Sequence, residues 1–173
     1  MTPQHKLTLG MIFCWSALAL FLCSCGRDVA PEIGTVTPAS GHGRTQTFRL
    51  QVSYPGGAGD INDVAFFFGD SLADSAHACW IDITGGVSSV AIRANDDKGY
   101  QPGVAVGTAG VAANDKCSVP ANQIKVEREG NQLVVSLPVT FTDALKGDVK
   151  VWAIASGPNK HSGWQERGAW TVE

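Results

Sequence analysis

The chain has 173 residues, 44% of them hydrophobic and 17% charged, which is room for one domain with its own core and too little for two. A formal net charge of −3 argues against nucleic acid as a partner. Sparse charge and 20 glycines favour short strands and tight turns over a helical bundle.

His5 and Lys6 open the chain with weak positive charge, and the 16 residues from Leu7 to Leu22 (LTLGMIFCWSALALFL) are almost wholly apolar. A membrane-crossing helix needs roughly 20 apolar residues, so this run has the length of a signal-peptide core. Directly after it stands Leu22-Cys23-Ser24-Cys25-Gly26. This resembles a bacterial lipobox: an aliphatic residue and two small ones before the cysteine that takes lipid. The resemblance implies cleavage after Ser24, a diacylglyceryl group on the Cys25 thiol, and acylation of the new amine. Several acyl chains on one residue give stable anchoring, each buried CH₂ contributing roughly 0.8 kcal/mol. Gly26 is compatible with sorting to an outer membrane. An uncleaved signal anchor and ordinary signal-peptidase cleavage are the alternatives. Loss of residues 1–24 removes one base, Lys6, and takes the net charge from −3 to −4. The expected organisation is a signal peptide over 1–24, a tether over 25–32 and a domain over 33–173.

Export sorts the five cysteines. Cys14 and Cys23 leave with the signal peptide and Cys25 is taken by lipid. Cys79 and Cys117 remain as an even pair in an oxidising compartment, where a disulfide is the expected state. It would close a loop of about 40 residues, worth roughly 4 kcal/mol in the chain-entropy model. A redox pair and a zinc site are the alternatives. The pair is too widely spaced for a CxxC redox motif, and no paired histidines complete a zinc site.

Along the mature chain, Gly26 to Pro38 is polar with two prolines, a tether running into a first edge strand. Thr47 to Ser53 alternates strictly, with Phe48, Leu50 and Val52 on one face. Pro55 to Gly59 is a turn, and Val64 to Phe68 is a continuous apolar strand. His77 to Thr84 alternates again, placing Cys79, Ile81 and Ile83 together with Trp80 opposite. Gly85-Gly86 turns the chain into Val87 to Arg93, and a long loop follows from Asn95 to Asp115. A bond at Cys117 would pin the far end of that loop. Ile124 to Glu127 and Leu133 to Val139 read as a hairpin, with Pro138 suggesting an edge position or a strand end. Asp143 to Gly147 has room for one helical turn. Val149 to Ala155 and Trp170 to Val172 close the series, for about seven to nine strands. Short strands at regular spacing with Gly-rich turns predict an all-β antiparallel sandwich.

The mature part resembles a family of immunoglobulin-like or fibronectin-III-like β-sandwich modules in secreted proteins of environmental bacteria, whose biochemical role is uncharacterised. Carrying the resemblance are Thr37 to Gly41, Asp60-Ile61 with Val64, Ala78 to Ile81, Asn95-Asp96 with Gly99, Cys117, and Leu137 to Phe141 with Gly147. The ending is the most distinctive piece: Ser162-Gly163-Trp164 through Gly168-Ala169-Trp170-Thr171-Val172. The resemblance implies the sandwich and the Cys79–Cys117 pairing, and brings no catalytic residues. Members often carry an aspartate in the turn after the first long strand, where this chain has Tyr54-Pro55. That lowers the expectation of calcium there.

Three motifs compete for a function. Gly69-Asp70-Ser71-Leu72 looks like the nucleophile block of the GDSL esterases, with Ser71 as the nucleophile. That chemistry needs a histidine base, an orienting acid and oxyanion donors. The family's D-x-x-H is missing, since this chain reads Gly157-Pro158-Asn159-Lys160-His161 near its end. Asp60, Asp63, Asp96, Asp97 and Asp115 fall in turns without EF-hand spacing and read as solvated. Trp80, Trp152, Trp164 and Trp170 could stack on sugars, although tryptophans in a small sandwich more often fill or cover its core. His42, His77 and His161 read as surface residues. The expectation is a non-enzymatic binding or structural module without cofactor or metal, partnered by a membrane through Cys25 and by an envelope protein or glycan. A Ser71 esterase and a carbohydrate-binding module are the alternatives.

Overall fold

The computed structural model describes residues 29–173. The expected signal peptide and lipobox, with Cys25, lie outside the described residues. The chain runs through β1 (Glu32–Thr37), β2 (Ser40–His42), β3 (Thr45–Ser53), β4 (Asp63–Gly69), β5 (Cys79–Thr84) and β6 (Ser89–Ile92). There follow β7 (Val104–Ala105), β8 (Val111–Ala113), β9 (Cys117–Pro120), β10 (Lys125–Glu129), β11 (Gln132–Phe141), β12 (Gly147–Ser156) and β13 (Gln165–Val172). The connections include short 3-10 turns, one of them at Asp143–Leu145 where a single helical turn is expected.

The strands form two sheets facing one another. The six-stranded sheet has the order β1-β3-β11-β9-β8, with β10 also paired to β11. The seven-stranded sheet has the order β2-β13-β12-β4-β5-β6-β7. All pairings are antiparallel except β2 with β13. The alternation read from the sequence places the core. Phe48, Leu50 and Val52 of β3 and Leu133, Val135, Leu137 and Val139 of β11 are fully buried on one side. Phe66, Phe68, Ile81, Ile83, Val151 and Ala153 meet them from the other sheet, with Phe48 and Phe68 ring centroids 4.9 Å apart. The predicted sandwich is therefore present. So is the Cys79–Cys117 disulfide, which joins β5 of one sheet to β9 of the other across a Cα–Cα distance of 5.8 Å. On the opposite flank, Arg167 of β13 donates from Nε to the Gly34 carbonyl and from Nη2 to the Ile33 carbonyl of β1, each at 2.9 Å. A charged side chain thereby covers the backbone of an edge strand that would otherwise invite pairing.

Two expectations are corrected. Among the described residues there are thirteen strands rather than seven to nine, because β2, β7, β8 and β9 are two- to four-residue pieces too short to show a period. Of these, β7 and β8 lie inside the predicted loop from Asn95 to Asp115, and β9 directly follows it. Pro138 is neither at an edge nor at a strand end. It lies within β11, opposite Thr47 of β3. On its other side the pairing with β10 stops at Ser136, and that with β9 starts at Thr140. The residue that cannot donate a ladder hydrogen bond occupies that gap.

The two ends of the family-like pattern meet in space. Ala169, Trp170 and Thr171 pair with Ser40, Gly41 and His42. Trp170 lies in the core and its Nε1 donates to the Gly43 carbonyl at 2.8 Å. A side chain at Gly168 would stand 2.1 Å from the Ala39 carbonyl oxygen, so only glycine admits this approach.

Candidate functional site

Strand β4 is the centre of the seven-stranded sheet, and its continuous apolar run has a consequence outside the core. Ala65 and Phe67 alternate with the core residues and face outward, yet they are 4% and 0% exposed. Something must cover them. Phe67 stands opposite Trp80 of β5 and Trp152 of β12. Trp164, from the segment before β13, closes over them with its ring 6.0 Å from Phe67 and 5.4 Å from Trp80. Tyr100 continues the cluster at 6.5 Å from Trp80 and is 42% exposed. These contacts are edge-to-face, the arrangement favoured by the ring quadrupole. Trp152 lies beside them with Lys150 Nζ 5.7 Å from its ring centroid, and its buried Nε1 has no hydrogen-bond partner.

A polar network is laid into these rings. The Arg93 guanidinium sits 5.1 Å from the Trp80 centroid and 5.3 Å from that of Tyr100, within cation–π range. Its Nε donates to Asp97 Oδ1 at 2.6 Å and its Nη2 to the Asp97 carbonyl at 2.9 Å. The Ser75 hydroxyl donates to Asp97 Oδ2 at 2.6 Å. Asp97 itself has φ of 57°, a left-handed conformation that aspartate tolerates better than most residues. Hydrogen bonds from Ser75 and Arg93 hold its carboxyl below the ordinary value. Asp82, next along the outward face of β5, accepts from Trp80 Nε1 at 3.2 Å and is hydrogen-bonded to the Tyr100 hydroxyl. Burial pushes the Asp82 carboxyl up, and the bonds from Tyr100 and Trp80 pull against that rise. Burial and the neighbouring Asp82 push the Tyr100 hydroxyl up to about 12. The cluster offers ring surface, a carboxylate served by neutral donors, and an ion pair.

Elsewhere the expected site residues are scattered. Ser71 is exposed in the β4–β5 connection, its Oγ accepting from the Ala73 N–H at 3.2 Å. The exposed His77 bonds through Nδ1 to Asp74 Oδ1 at 2.7 Å. His77 and Asp74 line an open cleft of about 140 Å³ with Gly69, Asp70, Lys146 and Asp148, and Ser71 is not among its lining residues. Strand β4, which precedes Ser71, is antiparallel to both neighbours, unlike the parallel sheet of the esterase family. The acidic positions have local partners. Asp96 accepts from the Lys98 N–H at 3.1 Å, Asp63 from the Gly85 N–H at 3.2 Å, and Asp115 from the buried Lys116 ammonium at 2.6 Å. Among the described residues no group of three His, Cys, Asp or Glu side chains is placed to hold a metal ion. His42 and His161 are exposed, as expected of surface residues. Of the four tryptophans among the described residues only Trp170 joins the core; the other three stand on the outer face.

Ser75, Asp82, Arg93 and Tyr100 are the members of this polar cluster that the sequence does not single out. Their signal is indirect, since an apolar central strand such as Val64 to Phe68 needs cover on both faces. Comparison with known proteins finds no matching family model and no matching curated relative.

Proposed function

We propose that the chain is exported, acylated on Cys25 and held by that lipid at a bacterial membrane, with the outer membrane favoured. In this reading its sandwich is a non-catalytic binding module, and the outer face of the seven-stranded sheet is the binding face. The observation that carries the binding face is the placement of Trp80, Trp164 and Tyr100, with Arg93 and Asp82 among them, outside the core. The anchor rests on the apolar run, the Leu22 to Gly26 signal, and the sorting of the cysteines. Pro31 is already buried in the domain. The six steps from Cys25 therefore reach at most about 20 Å, and the module stands close to the membrane. Glu32 lies opposite Ser53, and the chain passes from there into Asp63 of β4. Strand β4 thus runs away from the tethered end, and Phe67 and its covering rings lie toward the far end.

Two experiments in cells test this reading. Cys25→Ala moves the protein from the membrane to the soluble fraction if the lipid is the anchor; retention in the membrane contradicts it. A photo-crosslinker placed at position 100 in the anchored protein forms a defined adduct with an envelope component, whereas one at position 51, on the outer face of the other sheet, does not. Equal labelling at both positions, or none, contradicts the binding face.

A further inference from the structure

We infer that this face takes a single strand of an uncharged polysaccharide, with sugar rings lying against Tyr100 and Trp164 and their hydroxyls meeting the polar groups between them. The inference rests on the outer face being the binding face, and it names the ligand class. Charge is the first argument. Cations on this face are matched by neighbouring anions: Arg93 with Asp97 at 2.6 Å, and Lys150 with Glu166 at 3.1 Å. Such pairs leave no free cation to draw an anionic ligand, and the Asp82 carboxylate is already served by Trp80 and Tyr100.

Shape is the second argument. Trp80 is the floor of the cluster, with Arg93 over its ring. Trp164 stands at 85° to it and Tyr100 at 88°. Rings at right angles make a corrugated surface, which a flat crystalline polymer cannot lie on but a single flexible strand can follow.

Chemistry is the third argument. A sugar ring presents apolar C–H faces and polar hydroxyl edges. Aromatic faces, a carboxylate acceptor and guanidinium donors within one cluster answer both. A protein partner of ordinary type would want a broad apolar centre. The large hydrophobics exposed among the described residues, Val29, Tyr100 and Val111, belong to separate parts of the chain.

The test uses the purified lipid-free domain from residue 26 to 173 alongside the anchored full chain in detergent. Affinity electrophoresis through gels containing soluble xyloglucan, glucomannan, dextran or β-1,3-glucan is compared with pull-down on microcrystalline cellulose and chitin. The expected result is retardation by at least one soluble neutral polymer and none of the crystalline ones. Tyr100→Ala and Trp164→Ala should each weaken retardation about tenfold, the loss of one stacking contact. Tyr100 is 42% exposed, so its variant keeps the fold, which a single cooperative thermal transition verifies should Trp164→Ala unfold. No retardation, undiminished retardation in the Tyr100 variant, or binding to crystalline polymer alone overturns the inference. A protein adduct from the crosslinker at position 100 then leaves the binding-face reading standing, and the absence of any adduct removes both.

Discussion

Reducing the disulfide gives the most quantitative check on how the sandwich is held. Cys79 and Cys117 are both fully buried and lie 38 positions apart in sequence, one in each sheet. The chain-entropy relation for a loop of that size gives about 4 kcal/mol of stabilisation lost when the crosslink opens. Domains of this size are stable by only about 5–15 kcal/mol, so the loss is a large share of the total. Urea denaturation of the same chain with and without a phosphine reductant, followed by tryptophan fluorescence, isolates the crosslink without creating a cavity. With an m-value of about 2 kcal/mol/M, the midpoint should fall by about 2 M. Part of the loss would come with a steeper m-value, because the reduced unfolded chain is less compact. Coincident midpoints under oxidising and reducing conditions would refute the reasoning, since they would mean that the sheets need no covalent tie.

Two further perturbations probe the packing and the cluster. Gly168→Ala places a methyl group on the Ala39 carbonyl and should cost about 3 kcal/mol, lowering the thermal midpoint by about 10 °C; Gly59→Ala, which meets nothing within 4 Å, should leave it unchanged or slightly higher. An equal response of the two glycines would contradict the close approach of β2 to β13. Folding raises the Asp82 pKa above its ordinary 3.8, so the folded state holds that proton more tightly and the residue's contribution to stability falls as pH rises through a window beginning near that value. Asp82→Asn, which keeps an acceptor and cannot ionise, should therefore be more stable than the natural protein at pH 7 and lose that advantage as pH falls toward 3. Thermal midpoints across that range check the sign, and an advantage that grows in acid would contradict it.

The parts of the fold legible in the sequence are those where one side of a strand meets the core. Phe48, Leu50 and Val52 announce β3 because burial on one face imposes a period of two, and the same parity puts Trp80 and Trp152 outside. The parts that are not legible depend on contacts between distant loops. Arg93 and Tyr100 face each other across the turn that Asp97 makes in its left-handed conformation, and Ser75, from a different connection, fixes that turn through Asp97. No local pattern encodes such a meeting. Pro138 misleads for a related reason: a missing donor marks an unpaired position, and here that position is a gap between two strands flanking β11 rather than an edge. The tryptophans divide by register. Trp170 shares the inward parity of Val172, while Trp164 precedes the strand and is placed by the course of the chain from Ser156 to Gln165.

The central claim is that a lipid on Cys25 holds this module at a membrane, and the mass of the mature chain tests it most directly. Intact mass spectrometry of the protein extracted from its native membrane should show a chain beginning at Cys25 and heavier than its sequence by a diacylglyceryl group and an amide-linked acyl chain. A chain that retains Met1, or one whose Cys25 is unmodified, would contradict the account.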